Sequence, residues 1–234
     1  MFTLSNKYLK QCRECLTGIE KDENLYFPHS LPICIFDAVF SIGIRYEMAR
    51  KAWINYSKYF NLAFKEMQNF ENGEIDNNEH TIDDFIKNFH SFKNVDDFLS
   101  QTGVSRHRTS SRNGILKIEA VFQIAEIMKS LGINTVQDFR SYPDRKDLDD
   151  KIRNVKGQRS GIMLKYLYML AGSPDICKPD RHIMYFYKTY YPDIEQNQIQ
   201  ELMNQTVKCL KPDYPDLTVR MLDNAIWKYQ RSQK

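Results

Sequence analysis

Asn154-Val155-Lys156-Gly157-Gln158-Arg159-Ser160-Gly161 is a short polar segment between a predicted helix, 147–154, and the apolar run 162–171. This order predicts two helices joined by a tight hairpin. Gly157 suits a point where one backbone segment must approach another closely. The first turn of the second helix offers N–H groups to a phosphate, and the flanking Lys156 and Arg159 would add Coulomb attraction. The alternative is an ordinary turn, which Gly157 alone would not exclude.

Helical patterns extend through nearly all of the 234 residues. Apolar positions recur at helical spacing over 33–60, with a break expected near Gly43, and the run 162–171 is apolar on all sides. Thr81 as N-cap, with Asp84 in the reciprocal position, predicts a helix that ends near His90. Glycine and proline are sparse, so we predict an all-α fold with loops at 71–73 and 102–113. The remaining predicted helices cover 95–101, 115–131, 135–142, 180–190, 195–210 and 218–231.

The composition is typical of a soluble globular protein. Hydrophobic residues make up 42% of the chain, no run of 18 apolar residues predicts a membrane span, and no secretory pattern begins the sequence. Five scattered cysteines suit a reduced cytosol, so we expect a cytoplasmic protein without membrane contact. Cys12 and Cys15 form a CxxC pair, but no second pair or nearby histidine accompanies them. Packing is therefore favoured over zinc binding.

The net charge of +3 hides an uneven distribution of charge. Residues 61–100 contain nine acidic and three basic residues, whereas residues 101–165 contain thirteen basic and seven acidic residues. The basic half suits a surface that faces a polyanion, although a solvated helix face would give the same count. The loop 102–113 belongs to this half and is dense in side-chain donors. We expect it to contact a nucleic-acid backbone, with a solvated loop as the alternative; its cations are Arg106, Arg108 and Arg112.

The segment Lys178-Pro179-Asp180-Arg181-His182 begins the predicted helix 180–190. Aspartate is a common N-cap, so Asp180 taken by itself indicates a structural role. Its spacing from the hairpin, with one buried helix between them, favours a second interpretation, in which the carboxylate faces a ligand. His182 lies two residues further on, and either a phosphate contact or packing is consistent with its position.

Together these segments resemble the helix–hairpin–helix DNA glycosylase superfamily, the HhH-GPD group. The resemblance rests on 155–161, on Met169-Leu170-Ala171-Gly172 and on 178–182, and it extends to 33–41 and 114–117. It implies an HhH core over 33–190, with terminal helices in 1–32 and 191–234 packing on it. It also implies two helical lobes with a central cleft, where DNA bends and a base flips out. Asp180 would stabilise the sugar oxocarbenium ion or position water for attack at C1′.

The resemblance further implies contacts with double-stranded DNA and therefore association with the nucleoid. We expect a monomer, although the sequence does not show the oligomeric state. The hairpin would hold a phosphate, with a monovalent cation on its carbonyl oxygens and no catalytic metal. The family's early loop is represented by Ile42-Gly43-Ile44-Arg45-Tyr46, where Arg45 would clamp a phosphate or enter the base stack and Tyr46 would stack on a base. Surface charge and core packing are their alternatives. The expected DNA-binding residues are Lys156, Gly157, Gln158, Arg159, Ser160, Gly161, Arg45, Arg106, Arg108 and Arg112, with Tyr46 and His182 at the base pocket.

Two features of some family members are missing. Bifunctional members place a Schiff-base lysine early in the helix after the hairpin, whereas Lys165 comes one turn too late and suits packing. This favours monofunctional, hydrolytic chemistry. Only Cys209 lies beyond Asp180, so we expect no iron–sulfur cluster. The sequence does not identify the base that would be removed.

Two other functions stay open from the sequence. One is a non-catalytic DNA-binding protein that keeps the hairpin and uses Asp180 only as a helix cap. The other is a glycosylase with abasic-site lyase activity, in which Lys156 or Lys178 supplies the amine. Both tryptophans lie on amphipathic predicted helices, so we expect core packing there rather than base stacking.

Overall fold

A computed structural model describes residues 2–17, 30–62 and 79–233. Within these ranges all regular elements are helical, which confirms the predicted all-α class. No helix in the described part of the chain is long and apolar enough to cross a membrane. The loop predicted at 71–73 lies outside the described residues.

The chain divides into two units, which we call the central unit (Asn24–Ala171) and the terminal unit (Met1–Glu23 with Gly172–Lys234). The core predicted from the sequence ended at residue 190, whereas the units divide after residue 171, so Asp180 belongs to the terminal unit. The described helices of the central unit are α2 (Leu31–Phe40), α3 (Tyr46–Tyr59), α4 (Ile82–His90), α5 (Val95–Thr102), α6 (Lys117–Ser130), α7 (Val136–Ser141), α8 (Arg145–Asn154) and α9 (Ile162–Leu170). Those of the terminal unit are α1 (Asn6–Leu16), α10 (Arg181–Tyr190), α11 (Ile199–Leu210) and α12 (Val219–Ser232), with a 3₁₀ turn at Gln196–Gln198.

Helix α2 forms the centre of the central unit. All ten of its residues are buried, and α3, α6 and α9 pack against it. Most side chains of α9 are buried too, which agrees with the apolar run seen in the sequence. Each fully buried aliphatic or phenylalanine side chain contributes about 1.5–3 kcal/mol, so these contacts dominate the stability of this unit.

The break predicted near Gly43 separates α2 from α3, and Gly43 has a φ of +72°. Lys117, the first residue of α6, extends its side chain to the backbone at this break and is only 1% exposed. Its Nζ donates hydrogen bonds to the carbonyls of Phe40 at 2.9 Å, Val39 at 3.1 Å and Ile42. The last carbonyls of a helix have no intrahelical donor, so this ammonium group caps α2 and fixes the start of the following turn.

In the terminal unit, α12 packs against α1, α10 and α11. The hydroxyl of buried Tyr8 forms hydrogen bonds with Thr206 Oγ1 at 2.7 Å and with the Tyr187 hydroxyl at 3.3 Å. Cys12 and Cys15 lie in the same core, and burial raises the pKa of both thiols to about 12. Both side chains therefore contribute packing, as the sequence predicted.

The starts of α4 and α6 can be compared directly with the starts predicted from the sequence. Thr81 and Asp84 form the predicted reciprocal cap of α4, in which each side chain accepts the other residue's N–H. Helix α6 begins two residues later than predicted, because Ile115 pairs with the preceding loop. The Ile115 carbonyl accepts the N–H of Thr109 at 2.9 Å, and the N–H of Lys117 donates to the His107 carbonyl at 2.8 Å.

Candidate functional site

Two consecutive tight turns join α8 to α9, and we call residues 155–161 the glycine turn. The N–H of Gln158 donates to the Val155 carbonyl at 2.9 Å, and the N–H of Gly161 donates to the Gln158 carbonyl at 3.1 Å. Gly157 has a φ of +93° and Gly161 has a φ of +72°. L side chains rarely adopt such angles, so the backbone path itself requires glycine at both positions.

The basic loop (102–113) packs directly on the glycine turn. The Thr109 side chain lies so close to Gly157 that a Cβ on this glycine would overlap it. The Oγ1 of Thr109 is buried and has no hydrogen-bond partner among the described residues. The two segments that the sequence singled out for polyanion contacts thus form one surface of the central unit.

Two of the five candidate cations on this surface have partners for their side chains elsewhere in the central unit. Arg106 forms an ion pair with Asp96 on α5, and the Arg108 guanidinium donates to the Gly114 carbonyl at 2.6 Å. Both cations thus have partners within their own unit, although both residues remain exposed. The other three are exposed at the glycine turn or at the tip of the basic loop: Lys156, Arg159 and Arg112.

The polar side chains of the glycine turn are not equally available to a ligand. Gln158 is only 4% exposed, and its N–H and carbonyl are both used within the turn, so it offers little to a bound group, contrary to its expected role in DNA binding. Ser160 is exposed, and its Oγ accepts the N–H of Ile162 at 3.4 Å. The first N–H groups of α9 have no intrahelical acceptor, so the helix start at Ile162, three residues after Arg159, has a partial positive charge.

Three carbonyls of the glycine turn, where the resemblance implies a monovalent cation, already accept hydrogen bonds. Those of Val155 and Gln158 already accept N–H groups within the turn. The Arg159 carbonyl accepts a hydrogen bond from the guanidinium of Arg153 at 3.2 Å, and the same guanidinium lies against Gly161. This turn therefore has a positive group from the protein itself, and we assign no step to a bound ion.

Arg45 and Tyr46 lie at the start of α3, also in the central unit. Arg45 is exposed and makes no side-chain cap to the helix. Tyr46 is half-buried, and burial together with the negative charge of Asp37 raises the pKa of its hydroxyl group. The geometry leaves Arg45 available for a phosphate contact, whereas Tyr46 is largely packed.

Asp180 is the N-cap of α10, as its position in the sequence predicted. Its Oδ1 accepts the N–H of His182 at 2.8 Å and the N–H of Ile183 at 3.1 Å. Both bonds use one oxygen, and the residue is half-buried rather than enclosed. The His182 ring lies edge-on to Trp227 with 6.2 Å between ring centroids, which gives it a packing contact.

A second carboxyl group, that of Asp223 on α12, accompanies this segment. Asp223 is 6% exposed, and its Oδ1 accepts the N–H of Lys178 at 3.0 Å. Burial and the negative charge of Asp180 raise the pKa of Asp223 to about 8, against the opposing effects of Lys178 and Arg220. Asp223 is therefore mostly protonated at neutral pH.

Sequence patterns did not indicate four residues that the geometry makes important: Thr109, Lys117, Arg153 and Asp223. Each acts through a tertiary contact that no local pattern encodes. Asp223 carried one weak signal, since an aspartate on the buried face of an amphipathic helix needs a polar partner. In the described part of the chain, no three His, Cys, Asp or Glu side chains gather as metal ligands.

These features define an all-helical protein with a basic glycine turn in one unit and a capped, carboxylate-bearing helix start in the other. A family model described as a domain of unknown function, DUF8548, matches residues 6–231. The chain therefore belongs to the DUF8548 family. Searches among curated proteins and among solved structures found no match.

Proposed function

We propose that this protein is a monofunctional DNA glycosylase of the helix–hairpin–helix type, which hydrolyses the N-glycosidic bond of a damaged or modified nucleotide. The observation that carries the proposal is the glycine turn. Its two positive-φ glycines shape the backbone of the turn. The donors that a DNA phosphate requires come from exposed Lys156 and Arg159 and from the N-terminus of α9. Contact with the basic loop extends this surface through Arg112.

In this proposal Asp180 is the catalytic carboxylate. Cleavage of the glycosidic bond leaves positive charge on the sugar, and a nearby carboxylate stabilises that charge or orients the attacking water. The capping bonds fix Asp180 through Oδ1. Under the same proposal, the resemblance implies two helical lobes with a central cleft that receives the flipped nucleotide from double-stranded DNA.

Asp180→Asn tests this function. Asparagine caps a helix as well as aspartate, so α10 should keep its start while the negative charge is lost. We expect base release to fall by about 100-fold or more, in line with removal of one electrostatic stabiliser of a transition state, while duplex affinity stays within about twofold. The assay is single-turnover incubation with duplexes that carry oxidised, alkylated, deaminated, mismatched or hypermodified bases, followed by hot alkali.

Asp144→Asn is the matched control, because Asp144 caps α8 through the N–H of Asp147 and has no proposed catalytic role. It should release bases at the wild-type rate. Base release by Asp180→Asn at the wild-type rate would contradict the assignment. A covalent adduct with abasic DNA after borohydride treatment would instead indicate lyase chemistry, with Lys156 or Lys178 as the amine.

The capping geometry of Asp180 favours one second candidate, a non-catalytic DNA-binding protein. The two hydrogen bonds that Asp180 Oδ1 accepts, from the N–H groups of His182 and Ile183, are those of an ordinary N-cap. In that case the wild-type protein would bind duplex DNA and release no base from any substrate. The Asp180→Asn variant would bind duplex DNA with the same affinity.

A further inference from the structure

The segment that leads into α10 is fastened to α11 and α12. The N–H of Arg220 donates to the Pro174 carbonyl at 2.9 Å, and the N–H of Cys177 donates to Gln200 Oε1 at 3.0 Å. The N–H of Lys178 donates to Asp223 Oδ1 at 3.0 Å. The Gln196 amide also donates to the Pro179 carbonyl at 3.2 Å, and among these attachments only the one through Asp223 is made by an ionisable side chain.

A continuous series of hydrogen bonds links Asp223 to the start of α10. Asp223 holds the N–H of Lys178, and the Lys178 carbonyl accepts the N–H of Asp180 at 2.7 Å. Asp180 in turn accepts the N–H groups of His182 and Ile183. A shift of the Asp223 carboxyl group would therefore move the backbone that carries Asp180.

The surroundings of Asp223 are buried and charged. Asp180 and Lys178 act on it from the segment before α10, and Arg220 acts on it from one turn earlier on α12. A buried carboxyl group with an uncompensated charge is costly, and a like charge nearby adds to that cost. The proton that Asp223 keeps up to a pH of about 8 removes this cost at neutral pH.

We propose that Asp223 is a positioning residue for Asp180, which holds the Lys178–Asp180 backbone in place through its hydrogen bond to the Lys178 N–H. This inference rests on the proposed function, because Asp180 needs exact placement only if it acts on a bound nucleotide. It adds a role for α12 that neither the hairpin nor the capping position supplies.

Two variants of Asp223 separate its hydrogen bond from its charge. Asp223→Ala removes the acceptor of the Lys178 N–H, and we expect the single-turnover rate of base release to fall at least tenfold at pH 7, with duplex affinity within twofold. Asp223→Asn keeps an acceptor oxygen and imitates the protonated acid, so it should recover most of the rate at pH 7.

The pH profile gives the readout that a purely structural residue would not change. As pH rises through about 8, Asp223 loses its proton, and the second buried negative charge repels Asp180 and disturbs the backbone that carries it. The wild-type single-turnover rate should therefore fall with a midpoint near this pH, whereas Asp223→Asn should lack the step. Gln200→Ala is the matched control, because it loosens the same segment and should keep the step.

A measurement without substrate keeps this inference separate from the proposed function. The backbone amide shift of Lys178 in two-dimensional NMR should titrate with a midpoint near pH 8 in the wild-type protein and stay flat in Asp223→Asn. That result without base release from any duplex would overturn the glycosylase and leave the carboxyl–Lys178 link standing. An amide shift that is flat in the wild-type protein, or identical pH–rate profiles for wild type and Asp223→Asn, would overturn the inference about Asp223.

Discussion

Gly157 meets two separate steric demands at the surface that we propose for DNA. Its φ of +93° lies where L side chains are strained, and its Cα faces the Thr109 side chain with no room for a Cβ. The first demand shapes the turn, and the second allows the basic loop to rest on it. One residue type satisfies both demands.

Gly157→Ala should therefore destabilise the protein and weaken DNA binding together. We expect a loss of about 2–4 kcal/mol in the free energy of unfolding, since the strained backbone costs about 1 kcal/mol and overpacking costs about 1–3 kcal/mol. Displacement of the basic loop should also raise the Kd for duplex DNA. Urea denaturation and fluorescence anisotropy measure the two effects.

Gly132→Ala controls for the backbone strain alone. Gly132 has a φ of +71°, and a Cβ built there meets nothing within 4 Å. This variant should lose about 1 kcal/mol of stability and bind DNA like the wild type. Equal stability losses in the two variants would show that contact with Thr109 contributes nothing.

At the scale of elements, Lys117 caps α2 from a different helix. A buried ammonium group is costly in itself, yet here it donates to the carbonyls of Val39 and Phe40 at the end of a fully buried helix and to that of Ile42 in the following turn. The same bonds hold the turn that precedes Arg45. The stability of the centre and the placement of this candidate DNA contact are thus coupled.

Lys117→Met retains the length of the side chain and removes its donors. We expect it to lower the free energy of unfolding by about 1.5–3 kcal/mol, the range for hydrogen bonds to a charged group. Thermal and urea unfolding give the value. On the same helix, exposed Lys129 pairs with Asp83, and Lys129→Met should cost less than about 1 kcal/mol. Similar losses for both variants would contradict the capping role.

The sequence predicted most helices because their signals are local. Periodic apolar positions and the cap at Thr81 lie within a few residues of the elements that they specify. The start of α6 was misplaced because Ile115 fits the apolar stripe, yet its carbonyl pairs with the N–H of Thr109. Lys117 was not expected in the core, since its acceptors belong to a helix more than seventy residues earlier.

At the scale of the whole molecule, the candidate functional groups are divided between the two units. The glycine turn, the basic loop and Arg45 belong to the central unit, and Asp180 with Asp223 belongs to the terminal unit. Local patterns indicated the turn and Asp180, and the resemblance implied that both belong to one core over 33–190. Helical periodicity itself carries no information about which helices share contacts. Asp223 was missed for the same reason, since its partner Lys178 is 45 residues away.

The guanidinium of Arg153 has a consequence for the ionic behaviour of the protein as a whole. It donates to the Arg159 carbonyl and lies against Gly161, so a cation from the protein itself already contacts the turn. Replacement of potassium by sodium or by N-methylglucamine at equal ionic strength should leave the Kd for duplex DNA within twofold by fluorescence anisotropy. A selective requirement for potassium would contradict this expectation. Under the proposed function, we expect duplex affinity to depend on the total salt concentration and not on the identity of the alkali-metal ion.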